Sequence, residues 1–515
     1  IAASGNYYTY SLALKSDGTV WAWGDNTYGQ LGDGTTTRRL TPTKVSGLSG
    51  VSAIVAGHYS AMALKTDGTV WAWGYNVSGQ LGDGTTTSRS APVQVKLSDG
   101  SALTNVVGIG AGSGHAVART SDGSVWAWGN NGYGQLGITD PNIYPEEVTG
   151  LTGVTNVAAG SSHTVALKSD GSVWAWGYNS SGQVGDGTTT SRNTPVQVKQ
   201  SGGASLSGVA GIAARENRTV ALKTDGTVWA WGDNWAGQLG DGTMTTRLNP
   251  AKVIMQDGAA LSNVTAVAAG SIHTLALKDD GTVWAWGYNA WGQIGDGTQY
   301  TNRLNPVQVL MADRTPLSGV IAIAAGNGHS LAVQEDGSVW AWGDNSYGQL
   351  GDGTTTMRLN PVEIPDFFGV VVIGAGSDHT LAVRERQPSV RVSASVKGVT
   401  VTEGGTATFQ VKLTAAPAAT VTVIARRTSG DADITVQSGS NLVFTTANWS
   451  TYQTVTLAAA QDADAENGSA VISLMGVDVG AVVTATENDN DAPLTVGAGA
   501  GGTAVPVGIT NVTKY

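Results

Sequence analysis

The chain has 515 residues, 39 acidic against 28 basic, a formal net charge of −11, only 13% charged residues and no cysteine. That length exceeds one compact domain, and the missing cysteines exclude disulfides and thiolate metal sites. No run of basic residues exists to displace counterions from phosphates and no apolar run is long enough for a spanning helix, so neither nucleic-acid binding nor membrane insertion is expected.

From the N-terminus, an apolar alternation ending at Leu14 meets Asp17-Gly18 and then "VWAWG" from Val20. Two alternating runs joined by Asp-Gly predict a β-hairpin, because that pair accepts the positive φ angles of a tight primed turn. A loop, "GQLGDGT", a polar Thr/Arg stretch and a short strand follow. The "WAWG" tetrapeptide then recurs, starting at Trp21, Trp71, Trp126, Trp174, Trp229, Trp284 and Trp340, and each copy is preceded by Asp-Gly. Four short strands per unit and seven units predict an all-β, seven-bladed β-propeller over residues 1–386. Because alternate residues of a strand face opposite ways, the two Trp of each copy share one face and are expected to fill space between neighbouring blades.

The pattern "VWAWGxNxxGQLGDGT" with "AAGxxHTxAL" resembles the regulator of chromosome condensation repeat family. The resemblance implies a seven-bladed propeller whose rim or face binds another protein. That family includes a guanine-nucleotide exchange factor, a plant UV-B photoreceptor and a secreted bacterial inhibitor of β-lactamases. The photoreceptor carries its sensing tryptophans where this chain has "GSSHT" and "GSIHT", and the basic segments that accompany the exchange factor are missing. Low charge, Thr and Gly richness, the missing Cys and the pairing with a second domain fit the secreted bacterial type, which is the expectation. The "AAGxxHTxAL" half occurs eight times, from "AASGNYYTYSLAL" to "GAGSDHTLAVRE", against seven "WAWG" halves. Either terminal half is able to close the ring, leaving the other to pack outside or to pair with another molecule.

Copies within one chain serve as each other's control. The Asp of "GDG" (Asp33, Asp83, Asp186, Asp241, Asp296, Asp352) coexists with an Arg three residues before the loop proline (Arg39, Arg89, Arg192, Arg247, Arg303, Arg358), and the third copy lacks both. Joint presence and joint loss predict an ion pair within each loop. Five of the six histidines, His115, His163, His273, His329 and His379, share one repeat position, with Tyr10, Ser60 and Arg218 elsewhere. Spread around a ring, they are too far apart to share a metal, so each imidazole is expected to bond backbone at a strand start. No nucleophile–base–acid set stands out, so no enzyme is expected. The loops after "WAWG" keep Asn and a final Gly but vary between, displaying Tyr28, Tyr75, Tyr133, Tyr178, Trp235, Tyr288, Trp291 and Tyr347. Aromatics in loops on a rigid scaffold suit a binding surface, and the competing reading is that they shield loop backbone. Trp235 and Trp291 are the first candidates.

After Pro388 the pattern changes. About seven alternating strands over 390–491 predict a β-sandwich, and the early Glu-Gly, the "TVTL" segment and the acidic clusters resemble the Calx-beta domain. That likeness implies Ca²⁺ on carboxylates at one end of the sandwich, the matching positions being Glu403, Asp433, Asp462, Asp464, Glu466, Asp489 and Asp491, although the clusters "DADAEN" and "ENDND" are diluted. Residues 492–515 read as a Gly/Ala linker and one further strand. The expected function is non-enzymatic binding or adhesion, secreted or at a bacterial cell surface, toward a protein or cell-surface partner. The alternative is a self-assembling subunit, a homo-oligomer or polymer built through the spare half-blade and the C-terminal strand. An enzyme inhibitor comes third.

Overall fold

The computed structural model describes residues 1–4, 9–139, 142–365, 369–384, 392–396, 399–417, 420–445, 447–460, 469–476 and 480–488. The chain divides into two compact units, the first comprising Ile1–Ile364 with Val371–Val383.

In the first unit seven four-stranded antiparallel sheets succeed one another, each with its strands in chain order. The fourth is representative, with strands Val154–Ala159, His163–Lys168, Val173–Gly177 and Arg192–Gln197. Its Asp-Gly turn joins the second and third strands, where His163 pairs with Gly177 and Leu167 with Val173. The turn glycine, Gly171, has φ +75°, which a side chain would resist.

Packing between blades follows the tryptophans only in part as expected. The second Trp of six copies (Trp73, Trp128, Trp176, Trp231, Trp286, Trp342) is wholly buried, each indole N–H donating to the carbonyl of the preceding blade's loop glutamine, as Trp176 does to Gln135 at 3.0 Å. A glycine makes room for it: a Cβ at Gly137 would lie 2.8 Å from the Trp176 Nε1. The first Trp of each copy is only half-buried, and a lysine ammonium lies over the ring in several blades, 5.6 Å away in the case of Lys15 and Trp21. The second tryptophan of each pair is thus the fully buried one, while the first packs half-covered against the same inter-blade core in six copies, beneath an amphipathic lysine stem in several.

Both terminal half-copies enter the ring. The N-terminal half supplies Ala2–Ala3 and Tyr10–Leu14 to the first blade. The C-terminal half is a two-stranded hairpin, Val370–Ala375 with Thr380–Arg384. Thr380 Oγ1 donates to the Gln349 carbonyl at 2.7 Å, the contact a following blade makes, and Ser377 N–H donates to the Ser4 carbonyl at 3.3 Å.

In the second unit two sheets, one of four strands and one of five, enclose one apolar core centred on Val401, Phe409, Val423, Phe444, Leu457 and Ile472.

Candidate functional site

The loop after each "WAWG" is built from its invariant residues. Asn26 is buried, its amide donating to Asp33 Oδ1 and to the Thr35 and Thr37 carbonyls while its oxygen accepts from Leu31 N–H. The same set forms around Asn76, Asn179, Asn234 and Asn345. The expected Asp–Arg pairs are present in six blades: Asp33–Arg39 at 2.6 Å, Asp83–Arg89 at 2.7 Å, Asp186–Arg192 at 2.5 Å, Asp241–Arg247, Asp296–Arg303 at 2.5 Å and Asp352–Arg358 at 2.6 Å. Burial works to raise the Asp33 carboxyl, but hydrogen bonds from Thr35 and Arg39 outweigh it and hold it below its ordinary value. In the third blade the Asn131 amide donates to the Ile138 carbonyl.

The histidines are structural, but their partners differ from the expectation. His115, His163, His273 and His329 each place Nε2 2.9–3.2 Å from a hydroxyl of the next unit (Thr164, Thr219, Ser330, Thr380). Those hydroxyls in turn donate to the loop-glutamine carbonyls that, in the complete blades, also receive the tryptophan N–H. Backbone at the strand start is thus replaced by a chain of bonds running from blade to blade. Burial pushes these imidazoles down to about 4 for His115 and about 3 for His163, His273 and His329.

On this frame the variable aromatics gather across blade boundaries. Tyr28 of the first blade meets Tyr75 of the second at 4.8 Å, with Tyr59 of the second blade's inner turn 5.4 Å from Tyr28. Tyr133 and Tyr178 lie 4.6 Å apart, Trp235 and Tyr288 5.5 Å, and Tyr288 and Trp291 5.4 Å. In three of these pairings an even blade's Tyr, directly after "WAWG", meets an aromatic of the preceding odd blade, while Tyr288 and Trp291 share the loop of the sixth. Tyr347, on the seventh blade, precedes the hairpin rather than another such Tyr. Tyr133, Trp235 and Tyr347 remain half exposed, at 51%, 50% and 58%. Trp291 is more covered, resting on the inner turn at Gly328, where a Cβ would come within 2.8 Å of its ring.

The inner turns hold a second group that the repeat pattern alone does not announce. A cavity of ≈ 130 Å³ is lined by the turns of blades two to five, among them His58, Ser113, Ser161, Arg215 and Glu216, and by Ala3 of the first. Ser113 Oγ lies 3.2 Å from His58 Nε2, and Ser161 Oγ donates to Glu216 Oε2 at 2.8 Å. The signal was present in the sequence: Ser60 and Arg218 mark two of the three copies that lose the repeat histidine, the second and fifth, and these carry His58 and Arg215-Glu216 instead of small residues.

Of the carboxylates expected to hold Ca²⁺, Glu403 and Asp433 are half-buried, whereas Asp462, Asp464, Glu466, Asp489 and Asp491 lie outside the described residues. Among the described residues no group of three or more His, Asp or Glu is placed to hold a metal. The strands that flank the acidic stretches nevertheless finish together: Thr402 pairs with Asn488, Thr406 with Ala458, Ile434 with Ala459 and Gly430 with Ala470.

Successive four-stranded sheets locked by tryptophan, glutamine and glycine define a β-propeller of repeated blades. Residues 98–392 match the RCC1-like domain, and residues 17–64 and 67–119 the regulator of chromosome condensation (RCC1) repeat, so the chain belongs to the RCC1 repeat family. It is 34% identical over 365 residues to the ultraviolet-B receptor UVR8 of Arabidopsis thaliana, spanning 69% of this chain and 80% of that protein. It is 32% identical over 361 residues to the human E3 ubiquitin-protein ligase HERC2, 70% of this chain but 6% of that protein. Among solved structures it is similar to human WBSCR16 (TM-score 0.58, 24% identity, 71% of this chain and all of that one). It is also similar to Prp20p of Saccharomyces cerevisiae (TM-score 0.55, 22% identity, 72% and 92%), whose reported properties include binding to Gsp1p and histones. No helix among the described residues is long and apolar enough to cross a membrane.

Proposed function

We propose that the protein is a non-enzymatic binding scaffold, secreted or displayed on a bacterial cell surface, that captures a protein partner on the loop face of its propeller. The observation that carries this reading is the contrast inside the loops: Gln135, Gln238 and Gln349 are buried and accept the backbone N–H of Tyr133, Ala236 and Tyr347, while the Tyr133, Trp235 and Tyr347 side chains stand half exposed on the backbone so held. Rigid, amphipathic aromatics lose little entropy on contact and dominate the energy of many interfaces. Relatives whose names or titles describe receptors and protein binding lend support. The low charge and the following sandwich support the extracellular assignment. The test is immobilisation of the whole chain against surface proteins of its source cells, followed by the Trp235→Ala exchange. Retention of every captured protein by the variant would refute a role for Trp235.

A second reading, self-assembly, draws on the C-terminal hairpin. Thr380–Arg384 pairs only with Val370–Ala375 among the described residues, where every other unit adds a "WAWG" strand. An edge of this kind accepts a strand from another chain. Concentration-dependent growth in light scattering, abolished by Leu381→Pro, is its expected signature. Calcium at the sandwich end is also proposed: Glu403 and Asp433 adjoin strands that finish together with those flanking the acidic clusters, and carboxylate oxygens suit that ion.

A further inference from the structure

Five repeats carry Gly-x-x-His at the inner turn, and the reason is steric. A Cβ at Gly160 would lie 2.2 Å from the His163 ring, and Gly112, Gly270, Gly326 and Gly376 stand in the same relation to their histidines. The fifth repeat replaces both residues at once, reading Arg215-Glu216-Asn217-Arg218. Arg218 reaches across to the next blade and donates to the carbonyls of Ser271 (2.8 Å), Gly270 (2.5 Å) and His273 (2.7 Å). With the imidazole gone, a side chain fits at position 215. Arg215 takes that place and lines the axial cavity with its Nη2 buried and without an acceptor among the described residues. Glu216 sits at φ +47°, a conformation unusual for a residue other than glycine, with its carboxylate engaged by Ser161. The second repeat departs in a complementary way, sending His58 into the same cavity.

A guanidinium N–H deprived of both water and acceptor is costly, and its planar fork matches a carboxylate. We propose that the axial cavity binds one small carboxylate, held by Arg215 and bordered by His58 and Ser113. Burial keeps the His58 imidazole below its ordinary value, with Glu216 opposing and Arg215 adding to the effect, so it serves as a neutral neighbour at pH 7. Either a free acid or the terminal carboxylate of a peptide presents the required chemistry.

With only six histidines in the chain, ¹³C-labelled imidazoles give a readable spectrum, and His58→Gln assigns the relevant signal. Titration of the full chain with acetate should shift the His58 signal saturably. Arg215→Gly, which restores the residue of the other repeats, should weaken this at least about tenfold. Arg215→Lys, which keeps the charge but loses the fork, should weaken it less. A short peptide with a free C-terminus, compared with its amide, separates the two sources: a shift with acetate alone assigns a free acid, and tighter binding of the free-ended peptide assigns a chain terminus. No saturable shift with acetate or peptide, a shift with phosphate only, or a shift unchanged in a folded Arg215→Gly protein would each overturn the proposal.

Discussion

Trp176 and Trp235 belong to the same kind of residue, one inside a "WAWG" strand and one in the loop that follows such a strand, yet they occupy opposite environments. Trp176 is wholly buried with its N–H on the Gln135 carbonyl, while Trp235 is half exposed and touches Tyr288. The difference teaches that repetition marks framework, because a residue needed for blade-to-blade contact must recur in every blade. A residue free to change is one the packing does not hold.

The comparison is breakable by measurements of decreasing expected size. Acidification should act most strongly on the framework. Unfolded histidines protonate near 6.5, whereas His115, His163, His273 and His329 resist protonation until about 3–4. Between these values the unfolded chain binds more protons, so stability falls as pH drops, by about 1.4 kcal/mol per pH unit per histidine. Melting temperatures across that window should show it, and His163→Gln should flatten the slope. Next, Trp176→Ala should cost about 3–5 kcal/mol through loss of burial and the cavity left behind, read by denaturant unfolding. Asp186→Ala, which strands the partly exposed Arg192 and removes bonds to Thr188, should cost about 1–2 kcal/mol. Trp235→Ala should change stability by no more than about 0.5 kcal/mol, since a surface exchange away from the framework removes little packing. A large loss there would merge the two classes of tryptophan and undo the distinction.

The blades and the Asp–Arg pairs were legible in the sequence because period and joint loss in the third copy report physical coupling directly. The division of labour within "WAWG" was not, since alternation puts Trp174 and Trp176 on the same face and does not reveal that the neighbouring blade covers the second wholly and the first only by half. The histidines were recognised as structural but given the wrong partner: the Thr164 hydroxyl that meets His115 lies 49 residues away, across a blade boundary that only the closed ring brings together. For the same reason the aromatics of the candidate face could be named but not paired, and His58 with Arg215 stayed hidden although both repeats broke the pattern visibly. Of the carboxylates proposed for calcium, Glu403 and Asp433 are among the described residues, and the flanking strands rather than the carboxylates themselves carry that proposal.

The central claim, that the frame folds and the exposed loop aromatics bind, is tested most directly by one exchange. Tyr133, Trp235 and Tyr347 are replaced together by Ala, and the surface proteins captured by variant and unaltered chain are quantified side by side, with thermal unfolding of both. The prediction is an unfolding midpoint within a few degrees of the original and at least one captured protein reduced about tenfold or more. Identical capture by a stably folded variant would contradict the claim.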